Sequence, residues 1–188
     1  MRGLGQNEEL ALIAEPTIGI ITNVGTSHIE LLGSQEAIAE AKGELIRCLG
    51  PDSVAILNED DHFVKAMSSI AKGKTVTYGI YSNATVIGSH LRYKKDGIKF
   101  TCKCYDEVFD VFLPMIGEHN VYDALAAIAA GRVLGVKSSK IKKGLSDFTG
   151  TPMRQEIVAF EDIVILNDAY NANPSSMSES IKALGQLE

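Results

Sequence analysis

Apolar and polar positions change their rhythm twice along the chain, and each change predicts a change of architecture. Leu10, Leu12 and Ile13 recur among acidic residues over positions 6–14 and predict a helix, closed by Pro16. Residues 17–23, TIGIITN, are β-branched and apolar on both faces, as a buried parallel strand requires. After a polar loop, Ser34 followed by Glu36 and Ala37 opens a helix to about Leu49, which Gly50-Pro51 ends. Residues 53–57 read as a second buried strand, 61–71 as a helix and 75–78 as a third strand. Strands and helices in alternation predict a parallel sheet joined by crossover helices.

Over residues 85–113 the period shortens to two, with turn residues at Lys95-Asp96-Gly97 and Tyr105-Asp106-Glu107, which predicts an antiparallel meander. An Ala-rich helix over 119–134, a helix over 139–148 and a hairpin turning at Glu161-Asp162 follow. Asn173-Pro174-Ser175-Ser176 starts a last helix. The expected fold is therefore α/β, a mostly parallel sheet flanked by helices with an added antiparallel meander.

Composition narrows the function more than the fold. With 188 residues, 45% of them hydrophobic, the chain can bury the core of one domain or slightly more. Its 24 acidic against 18 basic residues, net charge -6, leave no basic field to gather a polyanion, so no nucleic-acid partner is expected. No apolar stretch approaches the roughly 20 residues that cross a bilayer, and Met1 to Gln6 lead into no signal-peptide core, so a cytoplasmic chain without a membrane partner is expected. Three cysteines, Cys48, Cys102 and Cys104, cannot complete a disulfide framework, and without a second pair at zinc-site spacing Cys102 and Cys104 read as ordinary residues of one strand face.

Four runs can carry chemistry. Asn23-Val24-Gly25-Thr26-Ser27-His28-Ile29-Glu30 lies at the carboxyl end of the first strand, where ligands bind in open α/β sheets; His28 suits a cation or phosphate and Glu30 a substrate amine. Lys42 borders the apolar stripe Ala37, Ile38, Ala41, Leu45, Ile46. Its amine either snorkels to water or, converted to a carbamate by carbon dioxide, offers oxygens to magnesium. Gly117-Glu118-His119-Asn120 opens the Ala-rich helix, where Asn120 either caps the helix or meets an adenine edge. Asn167-Asp168-Ala169-Tyr170-Asn171-Ala172-Asn173-Pro174 is either a plain turn or a hinge whose aspartate holds a ribose.

Taken in order, NVGTSHIELLG, AKGEL, LNEDD, GEHNVYDALAA, PMRQE and NDAYNANPSSM resemble successive signatures of the Mur ligase family over nearly the whole chain. The resemblance implies an ATP-dependent amide ligase of peptidoglycan synthesis, the member joining D-Ala-D-Ala to UDP-N-acetylmuramoyl-tripeptide through an acyl phosphate. Another Mur-type or folylpolyglutamate-type ligase, or a non-catalytic relic domain, is the alternative. The resemblance implies that His28 and Lys42 serve two magnesium sites, Asn120 the adenine, Arg154 the γ-phosphate and Asp168 the ribose or the closing region of a third domain. Asn23 and Glu30 would line the substrate-facing loop, and catalysis would rest on Lys42, His28 and Arg154. Residues 1–167 would be the central ATP-binding domain, and 168–188 a hinge with the first helix of a C-terminal domain. Two departures accompany it: Asp123 stands where HNVxNALAA has its second asparagine, and no glycine-rich GxxGKT/S phosphate loop occurs in the 188 residues. The expectation is therefore a fragment lacking its phosphate loop, and inactive by itself.

Overall fold

In the computed structural model, which describes residues 3–27 and 29–185, six strands make one sheet. They run in the order β1 (Ile18–Ile21), β2 (Val54–Asn58), β3 (Lys74–Gly79), β4 (Val86–Lys94), β5 (Gly97–Cys104) and β6 (Glu107–Leu113). Pairing is parallel from β1 to β4 and antiparallel from β4 to β6. The shortening of period at residue 85 thus marks a reversal of direction inside one sheet. Gly97 makes the β4–β5 turn possible: at φ 144 it approaches β6 so closely that a Cβ would lie 2.2 Å from the Leu113 carbonyl oxygen.

Helices cover both faces because the strands are apolar on both. On one face α3 (Gln35–Cys48), Leu49 just past its end, and α4 (His62–Ala66) bring Ile38, Ile46, Leu49 and Val64 against Ile21 and Leu57. On the other, α5 (Glu118–Val133) brings Val121, Leu125 and Ile128 against Ile56, Val76 and Val86, with α6 (Ser138–Ser146) adding Ile141. Each such fully buried side chain contributes roughly 1.5–3 kcal/mol relative to exposure. Cys102 and Cys104 lie buried on one face of β5, among these core residues, as their spacing implies.

Helix α1 (Gln6–Ala14) starts at Gly5 without a side-chain cap of its own. Glu44 of α3, only 5% exposed, supplies one, accepting from the backbone N–H of Gly5 at 2.6 Å, Asn7 at 3.1 Å and Glu8 at 3.2 Å. A buried carboxylate is stable there because the helix start presents unpaired N–H groups and positive charge.

Three predicted features come out differently. Strand β1 pairs only with β2 among the described residues, and Ile20 is 37% exposed, so it is an edge strand open on one face. The polar loop after β1 contains a short helix, α2 (Ile29–Leu32). The helix expected over 61–71 ends at Ala66 and continues as a 3-10 turn, Met67–Ile70. The hairpin turning at Glu161-Asp162 forms as predicted, β7 (Glu156–Phe160) against β8 (Ile163–Asn167) in a two-stranded sheet of its own, followed by α7 (Pro174–Leu184). Among the described residues no helix is long and apolar enough to cross a membrane.

Candidate functional site

The carboxyl ends of β1, β2 and β3 are stitched together by the Asn58-Glu59-Asp60-Asp61 run. Asn58, buried, donates from Nδ2 to the Thr22 carbonyl at 2.9 Å. Asp61 caps α4 through Phe63 N–H and Val64 N–H, both at 3.0 Å, and accepts from Val24 N–H at 2.7 Å with its other oxygen. Asp60 accepts from Ile80 N–H at 2.6 Å, Tyr81 N–H at 3.0 Å, Ser82 N–H at 2.7 Å and the Tyr122 hydroxyl at 2.9 Å. Burial alone would push its carboxyl up, but these bonds to the charged form hold it below the usual aspartate range. The loop after β1 and the start of α5 are thus fixed from the same four residues.

Against that loop lies Lys42, half-buried on α3. Its amine donates to the Asn23 carbonyl at 2.6 Å. Burial lowers its pKa, while the nearby charge of Asp61 opposes the shift. A groove of about 510 Å³ runs beside it between α1, β1 and α3, with Leu10, Ala14 and Ile20 along its length and Asn23, Ser27 and Lys42 at its polar end. Burial disfavours the charged amine, and the neutral amine is the form that reacts with carbon dioxide, so the surroundings of Lys42 are compatible with a carbamate, whose oxygens suit magnesium. Among the described residues no group of three or more His, Cys, Asp or Glu side chains could hold a metal ion.

A second cluster forms where α5 begins. Gly117 takes φ 89, and a Cβ there would lie 2.5 Å from the His119 ring and 3.1 Å from Ala183 of α7, so only glycine lets helix and ring approach. Asn120 does not cap α5. Its Nδ2 donates to the Ile116 carbonyl and to Gln155 Oε1, each at 2.6 Å. Gln155 N–H in turn donates to Asp168 Oδ1 at 3.2 Å, and Ser180 of α7 donates its hydroxyl to the other Asp168 oxygen. Arg154, exposed, stacks over the Tyr170 ring at 4.2 Å. Met153 and Gln155 on either side of it hold φ 61 and 51, a left-handed backbone that costs L residues of order 1 kcal/mol each.

Besides the Asp60–Tyr122 bond, the two clusters are joined by Asn173 Nδ2 donating to Ser27 Oγ at 3.1 Å across 146 residues of sequence. Asn23 and Lys42 therefore fall together at the end of β1, and Asn120 and Asp168 together at the opening of α5. Arg154 stands beside the second group on its aromatic support. Glu30 is exposed on α2, Asp123 is exposed on α5, and His28 lies outside the described residues. The sequence places Asn58, Asp60 and Asp61 in the LNEDD signature, and Asp61 at a helix start, without a role at the site, although their carboxyl-end position and Asx-rich run were the available signal; Gln155 likewise has no role in PMRQE, where its neighbours give no signal.

Comparison with known proteins bears on the family of the chain. The model of the Mur ligase middle domain matches residues 1–131. UDP-N-acetylmuramoyl-tripeptide--D-alanyl-D-alanine ligase of Bacillus subtilis (strain 168) is 38% identical over 100% of this chain and 40% of its own length. The ligase of that name from Synechocystis sp. is 40% identical over 98% of this chain and 38% of its own. A crystal structure of MurF from Acinetobacter baumannii superposes with a TM-score of 0.95 at 30% identity, over 100% of this chain and 41% of that one. The chain thus spans about 40% of the length of these relatives. With the family's middle-domain model matched over more than two thirds of its residues, and its strand-end and helix-start motifs folded into two joined clusters, the chain belongs to the Mur ligase family.

Proposed function

We propose that this chain serves the ATP-dependent ligase that joins D-Ala-D-Ala to UDP-N-acetylmuramoyl-tripeptide in peptidoglycan synthesis, a cytoplasmic reaction. The observation that carries the reading is that relatives of that activity align with 98 and 100% of the chain at 40 and 38% identity. In this reading residues 1–167 form the central ATP-binding domain, and α7 is the first helix of a C-terminal domain reached through a hinge at Asp168. Asn120 meets the adenine, Asp168 the ribose, and Arg154, held flat on Tyr170, the γ-phosphate. His28 and carbamylated Lys42 hold magnesium, and Asn23 and Glu30 line the loop that faces the peptide substrate. Magnesium, when bound, offsets charge on the transferring phosphoryl group.

The reaction has two steps. The tripeptide's terminal carboxylate takes the γ-phosphoryl group of ATP and ADP leaves; the amine of D-Ala-D-Ala then attacks the acyl carbon, and the amide forms as inorganic phosphate leaves. The chain's own part is to hold the nucleotide at the start of α5 and the metal-side loop at the end of β1. Backbone N–H groups of a GxxGKT/S run cradle the triphosphate in phosphate-loop enzymes, and no such run occurs in the 188 residues. Incubated with ATP, UDP-N-acetylmuramoyl-tripeptide and D-Ala-D-Ala, the chain should release no phosphate above background. Supplied with a phosphate-loop segment in a longer ligase, the same residues should support ADP release with D-Ala-D-Ala and not with single amino acids; preference for a single amino acid would refute the assignment.

A further inference from the structure

Gln155 joins the two nucleotide-side residues, and its chemistry is fixed by a carbonyl two contacts away. The Ile116 carbonyl can only accept, so the end of Asn120 that faces it at 2.6 Å is the nitrogen. The same nitrogen donates to Gln155 at 2.6 Å, so the end of Gln155 that faces Asn120 is the oxygen. Asp168 holds the Gln155 backbone N–H at 3.2 Å, and the residue keeps φ 51 at a cost that surrounding contacts must offset. Among the described residues nothing donates to Asn120 Oδ1 and nothing accepts from Gln155 Nε2. The pair therefore presents one acceptor, on Asn120, and one donor, on Gln155.

We propose that Gln155 is a specificity-determining residue, and that the Asn120–Gln155 amide pair reads the base of the bound nucleotide as adenine. This rests on the reading of the α5 start as the nucleotide site. Adenine offers a 6-amino donor beside a ring-nitrogen acceptor, which match Asn120 Oδ1 and Gln155 Nε2 in that order. Guanine places a carbonyl oxygen at position 6, so acceptor would face acceptor at Asn120 Oδ1 and that hydrogen bond would be lost. Asn120 cannot turn over to suit guanine without giving up the Ile116 carbonyl. The fixed orientation of one backbone group is in this way passed through two side chains to the base.

The test is a titration of this chain with magnesium ATP and magnesium GTP, followed in 15N–1H spectra that include the side-chain amides and register weak binding. The wild-type chain should prefer ATP, with the Gln155 Nε2 signal moving on ATP and not on GTP. Gln155→Glu keeps the oxygen that Asn120 needs and replaces the donor by an acceptor; it should lower the ATP-over-GTP ratio about tenfold, the equivalent of one hydrogen bond. Gln155→Leu, which removes both groups, should lower it similarly if the first variant is poorly folded. Asn120→Ala serves as the control. If Asn120→Ala weakens ATP binding while both Gln155 variants keep the wild-type ratio, the role of Gln155 is overturned and the nucleotide site stands. If the wild-type chain binds neither nucleotide, or Asn120→Ala binds ATP as the wild type does, the nucleotide reading and this proposal fall together.

Discussion

Lys42 and Asp60 are ionisable residues that the fold treats in opposite ways. Burial works against the charged amine of Lys42, so its folded pKa lies below the unfolded value of 10.5. Between those two values the unfolded chain binds the extra proton, so the Lys42 contribution to stability rises with pH across that window. Lys42→Met should remove this contribution, read as the difference between wild-type and variant denaturant midpoints as pH rises toward 10.5, because Cys102, Cys104 and Tyr122, whose pKa values burial raises, slope the other way in both chains; a difference that does not change with pH would remove the burial argument. For Asp60 the hydrogen bonds outweigh burial, and the folded pKa lies below the ordinary 3.8. Its contribution is present above that value and lost as pH falls through the lower folded one. Asp60→Asn should cost about 2 kcal/mol at pH 7, because the amide keeps only one of the two accepting oxygens and turns its NH2 toward a backbone N–H, and its acid limb should be shallower than the wild type's. Asn120 and Gln155 would be unaffected by either proton, which separates the structural titrations from the base-reading pair.

Between residues and the whole lie the caps and strand ends, and they decide how the clusters are held. Asn173 forms a capping box with Ser176 at the start of α7, its side chain accepting from Ser176 N–H at 2.9 Å, and it also donates to Ser27. Asn173→Ala should therefore cost about 1 kcal/mol in cap energy and release the 23–27 loop, whereas Ser34→Ala at the start of α3 should cost the same and release nothing. Chemical shifts of the 23–27 amides that change in the second variant as much as in the first would contradict this. Periodicity and caps are local, so Ser34, Asp61 and Asn173 could be read as helix starts, and strand limits emerged within two residues or so. What periodicity could not show is where a strand sits: β1 has the apolar pattern of an interior strand and lies at an edge. Nor could it show that Asp60 and Tyr122, 62 residues apart, would bond, since only tertiary packing creates that pair. The family motifs located Asn120 and Asp168, but the residue that connects them sits at a left-handed φ that no sequence pattern at Gln155 announces.

At the level of the molecule, stability is unevenly distributed, and the uneven part is where the proposed site has to move. Strands β2 and β3 run through a core covered on both faces, with Ile56, Leu57, Val76 and Tyr78 fully buried. The β7–β8 hairpin stands apart as two strands whose Ile157, Val158, Phe160, Ile163, Val164 and Ile165 are all exposed, from 40 to 63%. Two strands without a buried face are marginal in water, so this hairpin should open with a free energy well below that of global unfolding. Yet Gln155 and Asp168, at its two ends, are fastened to Asn120 and Ser180. Amide hydrogen exchange should thus be fast along 157–165, slow in β2 and β3, and intermediate at Gln155, whose N–H is held by Asp168. Adenine nucleotide, if it joins the Asn120–Gln155 pair, should slow exchange at Gln155 and through the hairpin while leaving β2 and β3 unchanged, because binding free energy adds only to openings that break the site. Equal protection of hairpin and central strands without nucleotide would show instead that the hairpin is held by the core, and the route from strand end to base would have to run elsewhere.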